Sequence, residues 1–135
     1  MRLIQIAIAN VNSTVGAVRS NADRVLRLAR AAAAEDATVA CFPEQTLGGY
    51  PPEDLVQWRA FVAGQRAALE RIARETAQLR TVFVIGLTVA GGGELFNVAA
   101  IVHRGSILAF VPKEKLPTYN VFYELRTFTR GMPFH

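Results

Sequence analysis

The sequence predicts an α/β fold: a mixed β-sheet with two helices on one face. Three observations predict it. Short apolar runs rich in Val, Ile and Phe recur along the chain and read as strands. Two longer segments between the first three runs carry apolar residues at helical spacing. The resulting order is strand, helix, strand, helix, and then a meander of three strands. The first part calls for right-handed crossovers and a helix-covered sheet, and the meander makes that sheet mixed. Strands this apolar are expected to be buried on both faces. One face takes the two helices, and the other must meet a layer as large, such as a second sheet. The chain does not itself supply that sheet.

Leu3 to Val11 is the first strand, with Ile4, Ile6, Ile8 and Val11 as its β-branched side chains. Asn12 to Gly16 is turn chemistry. A helix is expected from about Val18 to Asp36, where Ala22, Val25, Leu26, Ala29, Ala32 and Ala33 recur on one side and Arg24, Arg27 and Arg30 fall largely on the other. Ser20 with Asp23 resembles a capping box, which would place the true start after Val18. Thr38 to Phe42 is the second strand, and Pro43 ends it. A long helical pattern follows from Pro52 to about Gln78, its apolar face made of Leu55, Trp58, Phe61, Val62, Leu69, Ile72 and Leu79. Thr81 to Val89, Leu95 to His103 and Ser106 to Val111 are the third, fourth and fifth strands, joined by Gly91-Gly92-Gly93 and by Arg104-Gly105. The tail from Pro112 to His135 has no clear period.

A chain of 135 residues is one core's worth, so residues 1–135 read as a single unit. At 51% hydrophobic and 19% charged, the composition is that of a globular protein. No apolar run is long enough for a membrane span, and no secretory pattern opens the chain. A single cysteine excludes an internal disulfide framework and a cysteine-rich metal site, and fits a cytoplasmic setting. The formal net charge is +4, but the basic residues are interleaved with Asp and Glu. No basic patch stands out, so neither nucleic acid nor a membrane is an expected partner.

Two stretches carry chemistry. In Cys41-Phe42-Pro43-Glu44, a carboxylate follows the end of an apolar strand at once, where α/β proteins commonly place reactive groups. Lys113 follows the fifth strand in the same way. In a mixed sheet the two strand ends can open on one edge. A Glu and a Lys that meet there could serve acyl transfer, the carboxylate taking a proton and the ammonium stabilising an oxyanion. From spacing alone, a solvated Glu in a connection and a surface lysine are the plain alternatives. Cys41, inside the second strand with no His or Arg beside it in sequence, is expected to be a buried, unreactive thiol.

The two stretches together resemble the nitrilase, or carbon-nitrogen hydrolase, superfamily. Phe42-Pro43-Glu44 matches its Phe-Pro-Glu. Gly49-Tyr50-Pro51-Pro52-Glu53-Asp54-Leu55 is similar to the branch formed by the amino-terminal glutaminase domain of glutamine-dependent NAD synthetases. So is the pattern Lys113-x-x-Leu116-Pro117-x-Tyr119-x-Val121-Phe122-x-Glu124-x-Arg126-x-Phe128. The likeness runs from about Ile4 to Gly131.

The resemblance implies a nitrilase-like αββα sandwich, of which this chain is the amino-terminal portion. It implies a Glu-Lys-Cys triad with Glu44 as general base and Lys113 as the group that steadies the tetrahedral intermediate. Glu124 resembles a second carboxylate that shapes the pocket, with an ion pair to Arg126 or Lys115 as the structural alternative. Tyr119 is expected to line the glutamine pocket, and Tyr50 to be structural under the turn. The family's nucleophilic cysteine lies some tens of residues beyond the second motif, so the chain is expected to be truncated before it and inactive alone. The implied reaction is glutamine hydrolysis, with ammonia passed to a carboxy-terminal synthetase domain that amidates deamido-NAD. ATP and Mg belong to that domain, and no cofactor or metal is expected in this one. The family also implies a homo-oligomer. Another carbon-nitrogen hydrolase, or a non-catalytic interaction domain, is the alternative. Gln45 stands where the family usually has Leu and reads as a packing variation. Tyr123 stands where Asp is common.

Overall fold

The helical spacing of Ala22, Val25, Leu26 and Ala29 produces a helix, α1 (Val18–Ala34), that buries all four side chains. It does so in a computed structural model of the chain, which describes residues 3–120 and 122–131. Val121 of the second motif and the end of the tail, 132–135, lie outside the described residues.

The strands are β1 (Ile6–Ile8), β2 (Val39–Cys41), β3 (Val82–Gly91), β4 (Glu94–His103) and β5 (Ser106–Pro112), and the second long helix is α2 (Arg59–Glu75). They form one five-stranded sheet in the order β1-β2-β3-β4-β5. β1, β2 and β3 run parallel, and the β3-β4-β5 meander is antiparallel. This is the mixed sheet that the element order predicts.

Strand alternation sorts the side chains. Phe83, Ile85 and Leu87 of β3 sit opposite Val102, Ala100 and Val98 of β4. All six are buried with the inner faces of α1 and α2 in the main core. At about 25 cal/mol per Å² of apolar surface removed from water, this helix-on-sheet contact is the main stabilising layer.

The alternate positions face away from the helices, on the side for which the chain is not expected to supply a layer. Ile6 and Ile8 are 61% and 84% exposed. Among the described residues no layer covers them. Cys41 lies on the same alternation as Ile8, its parallel neighbour. It is therefore only half-buried, not the fully buried thiol expected.

Three local expectations also change. The first strand is shorter than Leu3 to Val11. α1 starts at Val18 with Ala17 as N-cap and no side-chain cap, so Ser20 and Asp23 lie inside the helix and do not cap it. Asp23 instead pairs with Arg71 of α2 at 2.7 Å. The segment expected as one helix from Pro52 divides into a 3-10 turn, Glu53–Gln57, and α2. The break falls at Trp58, whose extended backbone (ψ 111°) cannot continue a helix.

One glycine decides where the chemistry sits. The chain leaves β2 and folds across β3 at Gly86. A Cβ there would lie 2.5 Å from the Pro43 carbonyl oxygen and 2.6 Å from the Gln45 nitrogen. Only a residue without a side chain lets the Pro43-Glu44-Gln45 backbone approach this closely. Gly86→Ala is therefore expected to push this loop off the sheet and to cost about 1–3 kcal/mol, the usual range for overpacking. Urea unfolding would show a lower midpoint with an unchanged slope; an unchanged midpoint would contradict the close approach.

Candidate active site

Glu44 owes its position to a loop pinned from both sides. Phe42 N–H donates to the Val84 carbonyl at 2.9 Å, and Leu47 N–H to the Gly86 carbonyl at 3.2 Å. Between them Gln45 adopts a left-handed φ of 51° and is fully buried. Its side-chain oxygen accepts from the Thr88 hydroxyl at 2.9 Å, and Thr88 N–H donates to the Gln65 side chain of α2 at 2.9 Å. The Gln at this position is thus one end of a buried polar link between the loop, β3 and α2. It is not a packing variation. The Thr46 hydroxyl also donates to the Pro43 carbonyl and closes the turn.

Lys113 is anchored through its backbone. Its N–H donates to the Asn97 carbonyl of β4 at 2.8 Å, and its carbonyl accepts from Gly131 N–H at 3.0 Å. Its Nζ then reaches between two carboxylates: 2.8 Å to Glu44 Oε1, and 3.2 Å and 3.0 Å to Glu124 Oε1 and Oε2. Glu124 opens a 3-10 turn, Glu124–Arg126, in the tail. A small apolar cluster of Val56, Leu116 and Phe128 fastens that tail to the turn after Pro52.

The structure brings Glu44, Lys113 and Glu124 together. Their exposures differ in a useful way: 44% for Glu44, 30% for Lys113 and 7% for Glu124. Glu124 is a nearly buried carboxylate, and such a group needs charge-assisted partners. Lys113 supplies one, in place of the Arg126 or Lys115 alternative. The Tyr50 hydroxyl supplies another, donating to Glu124 Oε1 at 3.0 Å. Tyr50, expected to be structural under its turn, thus belongs to the site. Tyr119 stands apart from the hydrogen-bonded cluster. It is 65% exposed, with its ring edge-on to Phe122 at 5.7 Å between centroids.

Asn97 was not singled out by the sequence. Its Nδ2 donates to Glu44 Oε1 at 2.6 Å. The signal was there: a single amide interrupts the apolar run from Leu95 to Val102, on the strand face that turns away from the helices.

The electrostatics follow from these contacts. Burial pulls the Lys113 pKa down, but the hydrogen bonds and charges of Glu44 and Glu124 outweigh it, and the net shift is upward. Lys113 therefore stays an ammonium through neutral pH. Burial, the Glu124 hydrogen bond and the nearby carboxylates push the Tyr50 phenol up to about 12, so it remains a donor.

A cavity of about 490 Å³ opens on the Tyr50 and Glu124 side of the cluster, lined also by Pro52, Asp54, Phe122 and Phe128; Glu44 and Lys113 are not in its lining. Its size suits a small ligand. Among the described residues no three His, Cys, Asp or Glu side chains gather as a metal site, and no helix is long and apolar enough to cross a membrane. A carboxylate with one oxygen in use, an ammonium hydrogen-bonded to it and an adjacent cavity can accept a proton and hold a developing oxyanion. Among the described residues no activated nucleophile completes the set. Cys41 lies on β2, ahead of the loop that carries Glu44.

The carbon-nitrogen hydrolase family model matches residues 5–129. A glutamine-dependent NAD(+) synthetase of Mycobacterium tuberculosis is 37% identical over 128 residues, which are 95% of this chain and 19% of the relative. One from Xanthomonas campestris is 40% identical over 126 residues, 93% of this chain and 22% of the relative. The chain thus spans about a fifth of the length of these relatives. Among solved structures, the glutamine-dependent NAD(+) synthetase of Cytophaga hutchinsonii superposes with a TM-score of 0.91 at 26% identity, over 98% of this chain and 22% of that one. An amidase from Nesterenkonia shares the fold with a TM-score of 0.79 at 23% identity, over 96% of this chain and 48% of that one. The sheet and its helices, the clustered Glu44 and Lys113, and a family match over nearly the whole length lead to one conclusion: the chain belongs to the carbon-nitrogen hydrolase family.

Proposed function

We propose that this chain is the amino-terminal part of a glutaminase domain, and that the full protein hydrolyses glutamine to supply ammonia for the ATP-dependent amidation of deamido-NAD to NAD. The observation that carries it is Lys113 Nζ held between Glu44 and Glu124, with Glu44 Oε2 left without a partner among the described residues. Relatives named as glutamine-dependent NAD(+) synthetases support glutamine as the substrate. In this reading the partner is a carboxy-terminal synthetase domain, and ATP and Mg act there.

The chemistry needs a thiol from the part of the protein outside residues 1–135. In a mutant of the Nesterenkonia amidase, which shares the fold, acrylamide has added to the active-site cysteine. In this reading Glu44 takes the thiol proton, and the thiolate attacks the carboxamide carbon. The carbonyl oxygen becomes an oxyanion, which Lys113 steadies. Glu44 returns the proton to the leaving nitrogen, ammonia departs, and a thioester remains. Water then attacks the thioester, Glu44 takes its proton, the thiol is regenerated and glutamate leaves. Glu124 holds Lys113 and borders the cavity.

A chloromethyl ketone analogue of glutamine, incubated with the full-length protein, tests this. The expected result is one label on a cysteine outside residues 1–135, blocked by glutamine, with Cys41 unmodified. A glutamine-protected label on Cys41, or no protected label at all, would refute the proposal.

A further inference from the structure

We propose that Asn97 is a positioning residue that decides which oxygen of Glu44 acts as the base. The inference rests on the glutaminase reading and goes beyond it. Asn97 pairs with Thr88, two residues along β3 from Gly86, and so lies on the sheet face crossed by the Glu44 loop. It is 3% exposed and does not line the cavity beside Glu124.

Its two polar ends do different work. The side-chain amide donates to Glu44 Oε1 at 2.6 Å. The backbone carbonyl accepts Lys113 N–H at 2.8 Å. One residue thus sets both the carboxylate and the stem of the ammonium. The direction of the side-chain bond is chemically fixed, because an ionised carboxylate only accepts and the amide must present its NH2.

Glu44 Oε1 therefore receives two donors, Asn97 and Lys113. Oε2 has none among the described residues, and it is the oxygen left to move a proton. Lys113 could not enforce this alone. Its three N–H groups are equivalent about the Cε–Nζ bond, and it also serves both oxygens of Glu124. The planar amide on a rigid strand supplies the second, fixed direction that stops the carboxylate from turning over.

The test uses Asn97→Ala and the isosteric Asn97→Asp, which keeps the volume and offers an acceptor in place of the donor. In the full-length protein both should lower kcat for ammonia release by about 10- to 100-fold, the range for a lost hydrogen bond to a charged group. KM for glutamine should stay within about twofold, because Asn97 acts through Glu44 and not on substrate. In a Glu44→Gln background, Asn97→Ala should cost less than about twofold more, as expected for residues acting through one another. Independently of activity, the side-chain carboxyl 13C signal of Glu44, assigned by its loss in Glu44→Gln, should move in Asn97→Ala while that of Glu124 stays in place. If the wild-type protein releases no ammonia from glutamine, the glutaminase reading fails, and the 13C signal alone decides the role of Asn97. An unmoved Glu44 signal would overturn the proposal, as would unchanged kcat in both variants.

Discussion

Lys113→Met is expected to reduce glutamine hydrolysis by the full-length protein on the order of 10³-fold, the upper range for removing one oxyanion donor. It should also destabilise the fold. Glu124 is only 7% exposed and would keep Tyr50 as its remaining donor. Breaking a fully buried ion pair costs about 3–5 kcal/mol. Lys113 is itself 30% exposed, so solvent screening reduces this to about 1–3 kcal/mol. The pH dependence carries a matching signature. The folded-state pKa of Lys113 is raised above the ordinary lysine value, so the folded chain holds this proton more tightly than the unfolded one. The stabilisation is fully present below the ordinary lysine value and is lost as pH rises through the raised one. Tyr50 acts in the same direction between 10 and about 12. Wild type should therefore lose stability on the alkaline side, and Lys113→Met should lose less there. Urea midpoints from pH 7 to pH 12 check both statements. Identical alkaline slopes would mean that the ammonium is not held by the two carboxylates.

Glu44→Gln is expected to cost more in rate and less in stability. The replacement keeps the shape and leaves an amide oxygen where Asn97 and Lys113 donate, but removes the base. Without proton transfer the thiol is not activated and the leaving nitrogen is not protonated, and a loss on the order of 10⁴-fold follows. Glu44 is 44% exposed, so its own contribution to folding is small. Steady-state ammonia release, beside a urea curve close to that of wild type, is the check. Substantial residual turnover would mean that another group is the base.

Much of this was legible in the sequence because the signals were local. Periodicity placed the two helices and the order of strands and helices along the chain, since most apolar positions answered to one face of one element; Trp58, expected on the apolar face of the second helix, is instead 68% exposed. Glu44 and Lys113 were legible because each follows the end of a strand, and a mixed sheet can bring two strand ends to one edge. Glu124 entered only through a motif. Nothing local says that a tail carboxylate will fold back 11 positions to meet Lys113. Tyr50 was read as structural under its turn, and Asn97 was missed, for the same reason. Their partners lie 74 and 53 positions away, and neither lies in a strong local pattern of polar residues. The capping error at Ser20 shows the opposite failure, in which a good local signal lost to tertiary packing. Asn21 is buried instead, where it binds Thr14 and the Leu47 carbonyl and ties the turn before α1 to the loop beyond Glu44. The open sheet face was foreseen as needing a partner layer. The exposure of Ile6, Ile8 and Cys41 follows from that face being uncovered among the described residues.

The central claim is that Glu44 and Lys113 act as one unit in amide cleavage. The most direct measurement is the kcat/KM for ammonia release from glutamine in the full-length protein, compared across Glu44→Gln, Lys113→Met and the double variant. A unit loses nearly all its rate with the first member removed, so the double variant should be no slower than the slower single variant, within about threefold. Losses that multiply across the two substitutions would show that the two groups work independently and would contradict the account.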